Sequence, residues 1–219
     1  MVVMMEKRRK NPNIQFDFRV TDLDDVLAYF PAILQSHSRR VGVCTSILAE
    51  ERVDELMYMY DFPNPAELLA AAHLGGTCHD IGKLTIPPIG CDRETYMKHP
   101  AIGMDILEKH AASFFTTRSQ MLLVYDMVRY HHEQADSGGF PYRLEMAALP
   151  LISGLCAVAN TLDHMMFKKN DVQSAFTAAA DYIRGNTGTI FCGSAAACFG
   201  HSQSFLLELY TNWNQHLYP

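Results

Sequence analysis

The stretch Gly75-Gly76-Thr77-Cys78-His79-Asp80-Ile81-Gly82-Lys83 constrains this chain more than any other. It closes an apolar segment, Leu68-Leu69-Ala70-Ala71-Ala72-His73-Leu74, with no Lys, Arg, Asp or Glu before Asp80. A helix that is apolar on nearly every face is buried on nearly every face. A carboxylate at the end of such a helix needs a partner, because a lone buried charge costs several kcal/mol or more. A metal ion meets that need, and the adjacent His is the commonest protein ligand for one. The plainer alternative is an Asp80–Lys83 ion pair beside a histidine hydrogen-bonded within the core.

The rest of the chain reads as helices. Asn64-Pro65-Ala66-Glu67 combines an N-cap amide, a proline at the first helical position and a carboxylate three residues past the cap. The helix it opens is expected to end at the two glycines before His79. Upstream, Thr21-Asp22-Leu23-Asp24 has capping-box spacing. It predicts a helix to Gln35, kinked or divided at Pro31, and a second helix over about 36–58. His99-Pro100 opens another helix with Ile102, Ile106 and Leu107 inward, and a further one is expected over 121–132. In 150–166, Leu151, Leu155, Val158, Leu162 and Met165 share one face. The opposite side, Ser153, Ala157, Asn160 and His164, carries no Lys or Glu, as expected of a helix lining a polar cavity. A helix over 171–184 and one or two short terminal helices complete the pattern. No alternating strand pattern, internal repeat or linker is present. The expected fold is all-α: an irregular lead-in over 1–20 and a single-domain helical bundle over 21–219.

With 219 residues, 48% of them hydrophobic, the chain is long enough for one sizeable core. A formal net charge of −6 argues against a general binder of DNA or RNA duplexes or of anionic membranes. An anionic substrate therefore needs local positive charge, from a few lysines or from metal. The six cysteines form no C-x-x-C pair and several lie in apolar runs, the usage of reduced core thiols in a cytoplasmic protein. The start of the chain has no signal-peptide h-region and no membrane span.

The candidate metal ligands are His37, His79, Asp80, His99, His131 and His132, with Asn160 and Asp163 downstream. Three of these groups lie at helix ends, where neighbours about 100° apart around the axis can still converge. A carboxylate between two metals can bridge them through its two oxygens, as two-metal hydrolysis requires at a separation of about 3.5–4 Å. His73, His110, His201 and His216 have no such context.

His37-Ser38-Arg39-Arg40-Val41, HDIGK at 79–83, HPAIG at 99–103, HHEQADSGGFP at 131–141 and LPLISGLCAVANTLDHM at 149–165 together resemble the HD-GYP subgroup of HD-domain metal-dependent phosphohydrolases. The resemblance implies an all-α fold of the HD type, and hydrolysis of the bacterial second messenger cyclic di-GMP in signal transduction. It implies a centre of two divalent transition metals, iron or manganese, held by His37, His79, Asp80, His99, His131, His132 and the position of Asn160. Asp80 would be the bridge and a catalytic residue. Lys83 would meet a substrate phosphate or the attacking water, and Gly139-Phe140-Pro141 stands where the subgroup has Gly-Tyr-Pro.

Three departures qualify that expectation. Asn160 replaces an aspartate ligand, so it offers oxygen without charge and one metal is expected to be labile. Asp163, one turn along, is not expected to reach the same place. The segment that carries arginines in the subgroup reads Phe167-Lys168-Lys169-Asn170, and Lys168 and Lys169 meet phosphate only as point charges. The loop between HDIGK and HPAIG is short, and Ile33 stands where a three-metal site would need a carboxylate. The leading expectation is a metal-dependent phosphodiesterase for a cyclic dinucleotide, acting as a homodimer or with a separate regulatory protein. The alternatives are a degenerate module that binds a nucleotide or partner protein, and a hydrolase of another phosphate ester.

Overall fold

The long helices mostly begin where a side chain or a proline resolves the free N–H groups of the first turn. The computed structural model describes residues 28, 30–86, 90–167 and 169–216. Its helices are α1 (Ala32–Glu50), α2 (Val53–Tyr60), α3 (Pro65–Cys78), α4 (Arg93–Met97), α5 (His99–Lys109), α6 (Ala111–Phe114), α7 (Arg118–Tyr130), α8 (Leu151–Met166), α9 (Val172–Gly185) and α10 (Gly193–His216), with 3-10 turns at Ile81–Thr85 and Met146–Ala148. Asn64 caps α3 by accepting from the Glu67 N–H at 3.0 Å, and the Glu67 carboxylate accepts from the Asn64 amide at 2.8 Å. Thr117 and Asp171 do the same for α7 and α9. Pro31 stands immediately before α1. Among the described residues the β pairing is one isolated bridge, Thr187 to Phe191, and the fold is all-α.

Several expected boundaries move. The helix predicted over 21–35 lies partly outside the described residues. The predicted break between Gln35 and Ser36 does not occur, since α1 runs through both. The helix predicted over 36–58 is divided instead at Glu51–Arg52, where no Gly or Pro announces a break. The terminal segment is one long helix rather than one or two short ones. The two glycines predicted to stop α3 lie inside it. They are there for packing: a Cβ on Gly76 would stand 2.8 Å from Thr45 Oγ1 and 2.9 Å from the Gly42 Cα, and one on Gly75 would overlap Met127 of α7. Close approach of α1 and α3 at Gly42 and Gly76 therefore outweighs the propensity cost of mid-helix glycine, about 1 kcal/mol each.

Two apolar clusters flank the centre of the molecule. The larger joins α1, α2, α3, α7, α8, α9 and α10 through residues such as Leu48, Leu56, Leu68, Ile152, Leu155, Phe191 and Phe199. The smaller joins Phe30, Cys78, Ile81, Met104, Leu107, Val124 and Val128 beneath α5 and the first 3-10 turn. All six cysteines are free, four of them buried. Among the described residues no helix is long and apolar enough to cross a membrane.

Candidate metal centre

The polar residues buried between these clusters converge on Asp80. His37 comes from α1, His79 and Asp80 from the end of α3, His99 from the first position of α5, and His131 and His132 from the turn that follows α7. The Asp80 carboxylate is fully buried and its two oxygens face different partners. Oδ2 lies 3.3 Å from His79 Nε2, 3.8 Å from His37 Nε2 and 2.6 Å from Lys83 Nζ. Oδ1 lies 3.3 Å from His99 Nε2 and 3.6 Å from His131 Nε2. Two donor sets result, His37–His79–Asp80 and Asp80–His99–His131–His132, each with ligand atoms within 4.8 Å of one another.

Local backbone geometry aims most of these rings. His79 Nδ1 lies 2.7 Å from the Gly76 carbonyl, His99 Nδ1 2.7 Å from the Tyr96 carbonyl, and His131 Nδ1 3.0 Å from the Met127 carbonyl. A carbonyl only accepts, so each Nδ1 carries the proton and each Nε2 presents a lone pair. His37 reaches the same state differently, with Nδ1 donating to Asp163 Oδ2 at 2.7 Å. Gly82 lets the 3-10 turn press on α5, since a Cβ there would overlap the His99 carbonyl oxygen.

This arrangement passes a direct test for metal. His99 Nε2 and His131 Nε2 stand 3.2 Å apart with both protons on the far sides of the rings, so two lone pairs face each other and the Asp80 carboxylate. The buried side-chain atoms without a hydrogen-bond partner include His37 Nε2, His79 Nε2, His132 Nε2, Asp80 Oδ1 and Asn160 Oδ1. Orphaned acceptors at this density are costly unless a cation is shared among them. Nitrogen and carboxylate donors with Nδ1 tethered to carbonyl or carboxylate are the pattern of divalent transition-metal ligands. The residues fit.

Electrostatics agree with that geometry. Burial pushes His131 down to about 3, with neighbouring His79 and His99 adding to the effect, and burial followed by His131 holds His132 well below the usual imidazole range. Burial likewise lowers His79. These rings are therefore neutral, the form that ligates. Burial alone would raise the Asp80 carboxyl, but the Lys83 ammonium 2.6 Å from Oδ2 holds it well below the ordinary value. Burial opposes the charge on Lys83 too, yet Asp80 and then Tyr96 raise it, and its ammonium sits 4.9 Å from the centre of the Tyr96 ring.

The ion pair of the plainer reading thus exists, and the histidines surround it. Asn160 is buried on α8, while Gly139 and Phe140 lie beside His132. The Phe140 ring stacks on the His132 ring at 4.5 Å, and a Cβ on Gly139 would meet Gln134 N at 2.5 Å. Pro141 is exposed, Lys169 is exposed beyond the end of α8, and Lys168 lies outside the described residues. Four participants were not in the predicted site. Glu133, buried, accepts from the backbone N–H groups of Tyr142 at 2.6 Å and Leu144 at 2.9 Å, which fixes the loop bearing Phe140. His164 stacks on His37 at 4.7 Å. Arg40 and Tyr210 bond to Asp163, at 2.5 Å from Arg40 Nε and 2.8 Å from the Tyr210 hydroxyl. Arg40 was legible in principle, since it is three residues from His37 and so shares its helix face.

Comparison with known proteins bears on the same residues. A family model, the HD domain, matches residues 34–165, which run from α1 through α8 and include every donor named above. The chain is 29% identical over 132 residues to the cyclic di-GMP phosphodiesterase PA4108 of Pseudomonas aeruginosa, covering 58% of this chain and 30% of that protein. It is 28% identical over 164 residues to a cyclic di-GMP phosphodiesterase of Vibrio cholerae, covering 67% and 32%. It is 25% identical over 171 residues to the 3'3'-cGAMP-specific phosphodiesterase 2 of Vibrio cholerae, covering 74% and 31%. The chain spans about a third of the length of these relatives. With well over half its length matched by that model and the histidine–aspartate pair at the heart of the donor cluster, the chain belongs to the HD-domain family.

Proposed function

We propose that this chain is a metal-dependent phosphodiesterase of the HD-GYP type that hydrolyses a cyclic dinucleotide, cyclic di-GMP first among them. The observation that carries the reading is the division of Asp80: one buried carboxylate presents an oxygen to each of two histidine sets whose lone pairs have no other partner. The relatives named for cyclic di-GMP and 3'3'-cGAMP support the substrate class.

His99, His131, His132 and Asp80 Oδ1 would hold one divalent ion, and His37, His79 and Asp80 Oδ2, with the Asn160 amide, a second. Iron or manganese suits this nitrogen-rich set. Bound there, such ions polarise phosphoryl oxygens and supply a hydroxide equivalent near neutral pH. The chain's own residues do the remaining work. Lys83 keeps its charge beside Asp80 and offers an ammonium to a phosphate oxygen. Phe140, stacked on His132 in the loop that Glu133 holds, offers an aromatic surface for a nucleobase. Gly139 and Pro141 shape that loop, and Lys168 and Lys169 add positive charge beyond α8 for the second phosphate. Residues 21–219 act as one catalytic unit in this reading. Its setting is a bacterial cytoplasm, with a second copy or a separate regulator as partner and no DNA or RNA duplex or membrane surface.

The test is hydrolysis. Protein reconstituted with Mn2+ or Fe2+ is expected to turn over cyclic di-GMP or 3'3'-cGAMP. Lys83→Ala is expected to cut that turnover by about a hundredfold, as loss of one charge-stabilising donor does, with metal content unchanged. If that variant loses thermal stability and keeps full turnover, Lys83 is a structural partner of Asp80 alone. Asn160 favours a second reading, a weakly active or inactive nucleotide-binding module. Metal-loaded protein that binds the cyclic dinucleotide and leaves it intact would establish it.

A further inference from the structure

One buried carboxylate near the centre lies outside both donor sets. Asp163 Oδ1 accepts from Arg40 Nε at 2.5 Å and from the Tyr210 hydroxyl at 2.8 Å. Its Oδ2 accepts from Arg40 Nη2 at 3.0 Å and from His37 Nδ1 at 2.7 Å. Four donors fill the usual acceptor positions of a carboxylate. Asp163 therefore has no lone pair left to ligate with, and Arg40 balances its charge in the interior. The Tyr210 oxygen is itself approached by the Cys44 thiol at 3.7 Å, and both residues are buried.

His37 is held unlike the rings around it. His79, His99 and His131 are tethered to backbone carbonyls three or four residues away, so their own helix ends aim them. The tether of His37 is a side chain 126 residues away, and that side chain is steadied by a hydroxyl from α10. Tyr210 stands well beyond the residues matched by the HD-domain model, which end at 165.

We propose that Tyr210 is a positioning residue: by holding Asp163 it keeps the His37 ring aimed at Asp80 Oδ2, so that the terminal helix governs metal retention at the His37–His79–Asp80 set and not at the other. The inference rests on the metal reading above and adds an element to it. Removing the hydroxyl leaves Asp163 one donor short and free to rock about its bonds to Arg40, and His37 Nδ1 moves with it. His99 and His131 take their aim from backbone carbonyls instead, and the Oδ1 side meets this chain of contacts through the Asp80 carboxylate.

The experiment is Mn2+ titration of the full chain against a competing chelator, comparing wild type, Tyr210→Phe, Asp163→Asn and Leu207→Ala. Leu207 is a partly buried residue of the same helix that packs on the main core, so its truncation controls for loosening of α10. The expected result is two Mn2+ sites in wild type, with the weaker one about tenfold weaker again in Tyr210→Phe and the tight one unmoved. Asp163→Asn is expected to fall toward the upper end of the roughly 10–100-fold range for loss of a group that orients a ligand. Leu207→Ala is expected to melt earlier and bind as wild type does. The inference is overturned if Tyr210→Phe leaves both sites unchanged, weakens both equally, or behaves as Leu207→Ala does. Wild-type protein with one tight Mn2+ and no second overturns it as well, while the metal reading stands. Wild-type protein that takes up no Mn2+ defeats both.

Discussion

The two sides of Asp80 are built to different standards. On the Oδ1 side, His99 from α5 and His131 from the turn after α7 face the oxygen at 3.3 and 3.6 Å, both aimed by backbone carbonyls, and His132 belongs to the same donor set. On the Oδ2 side there are two histidines, one of them aimed only through a long-range side-chain network, and an ammonium already sits on the oxygen. Asn160, buried on α8 with its amide oxygen unpartnered, would in the proposed reading bring this side a dipole where a charge would serve a cation better. A shared carboxylate therefore does not make a symmetric centre. Affinity follows the number of anionic and neutral donors and the rigidity with which each is held.

The comparison can be broken most completely at its shared member. Asp80→Ala is expected to empty both sides and abolish turnover, measured as metal per chain after purification without chelator. Retention of one ion in that variant would mean that the histidines suffice and that the carboxylate is no bridge. Partial removal of metal comes next. Dialysis against increasing chelator is expected to release one ion well before the other, and the protein that keeps one ion should be inactive until excess Mn2+ is restored. Release of both ions at one chelator concentration contradicts the asymmetry.

Asn160→Asp sharpens the same contrast. Restoring the charge with nearly the same shape is expected to raise affinity on the weak side by about 10–100-fold and to increase phosphodiesterase activity. Equal affinity and activity in the two proteins would place the amide away from the metals. The smallest effect is expected at Phe140. Losing its stack on His132 in Phe140→Ala should cost about 1 kcal/mol of stability and raise KM for the dinucleotide more than it lowers kcat. A change confined to kcat would assign the ring to His132 rather than to substrate.

Much of this was written locally in the chain. The all-α class followed from periodicity, and the cap at Asn64 located the start of α3. The six His and Asp side chains gathered at the centre stand out in sequence because each lies at a helix end or beside a glycine-rich turn, apart from His37. What was not legible depends on contacts between distant segments. Gly75 and Gly76 look like terminators until Met127 and Gly42 are found against them. Asp163 looks like a ligand out of register until Arg40, His37 and Tyr210 are found occupying it. Tyr210 carries no local signal at all, being one of several aromatic residues on a long terminal helix.

The unpartnered nitrogens at the centre have a further consequence, for how much of this protein a cell can maintain. Each orphaned Nε2 is a desolvation cost that the folded chain carries until a cation arrives. Ligand at a hundred times its Kd adds about 2.7 kcal/mol to apparent stability, a sizeable part of the margin that separates a folded domain from its degradable states. Abundance would then track the supply of whichever metal fills the centre, through proteolysis of the unliganded chain.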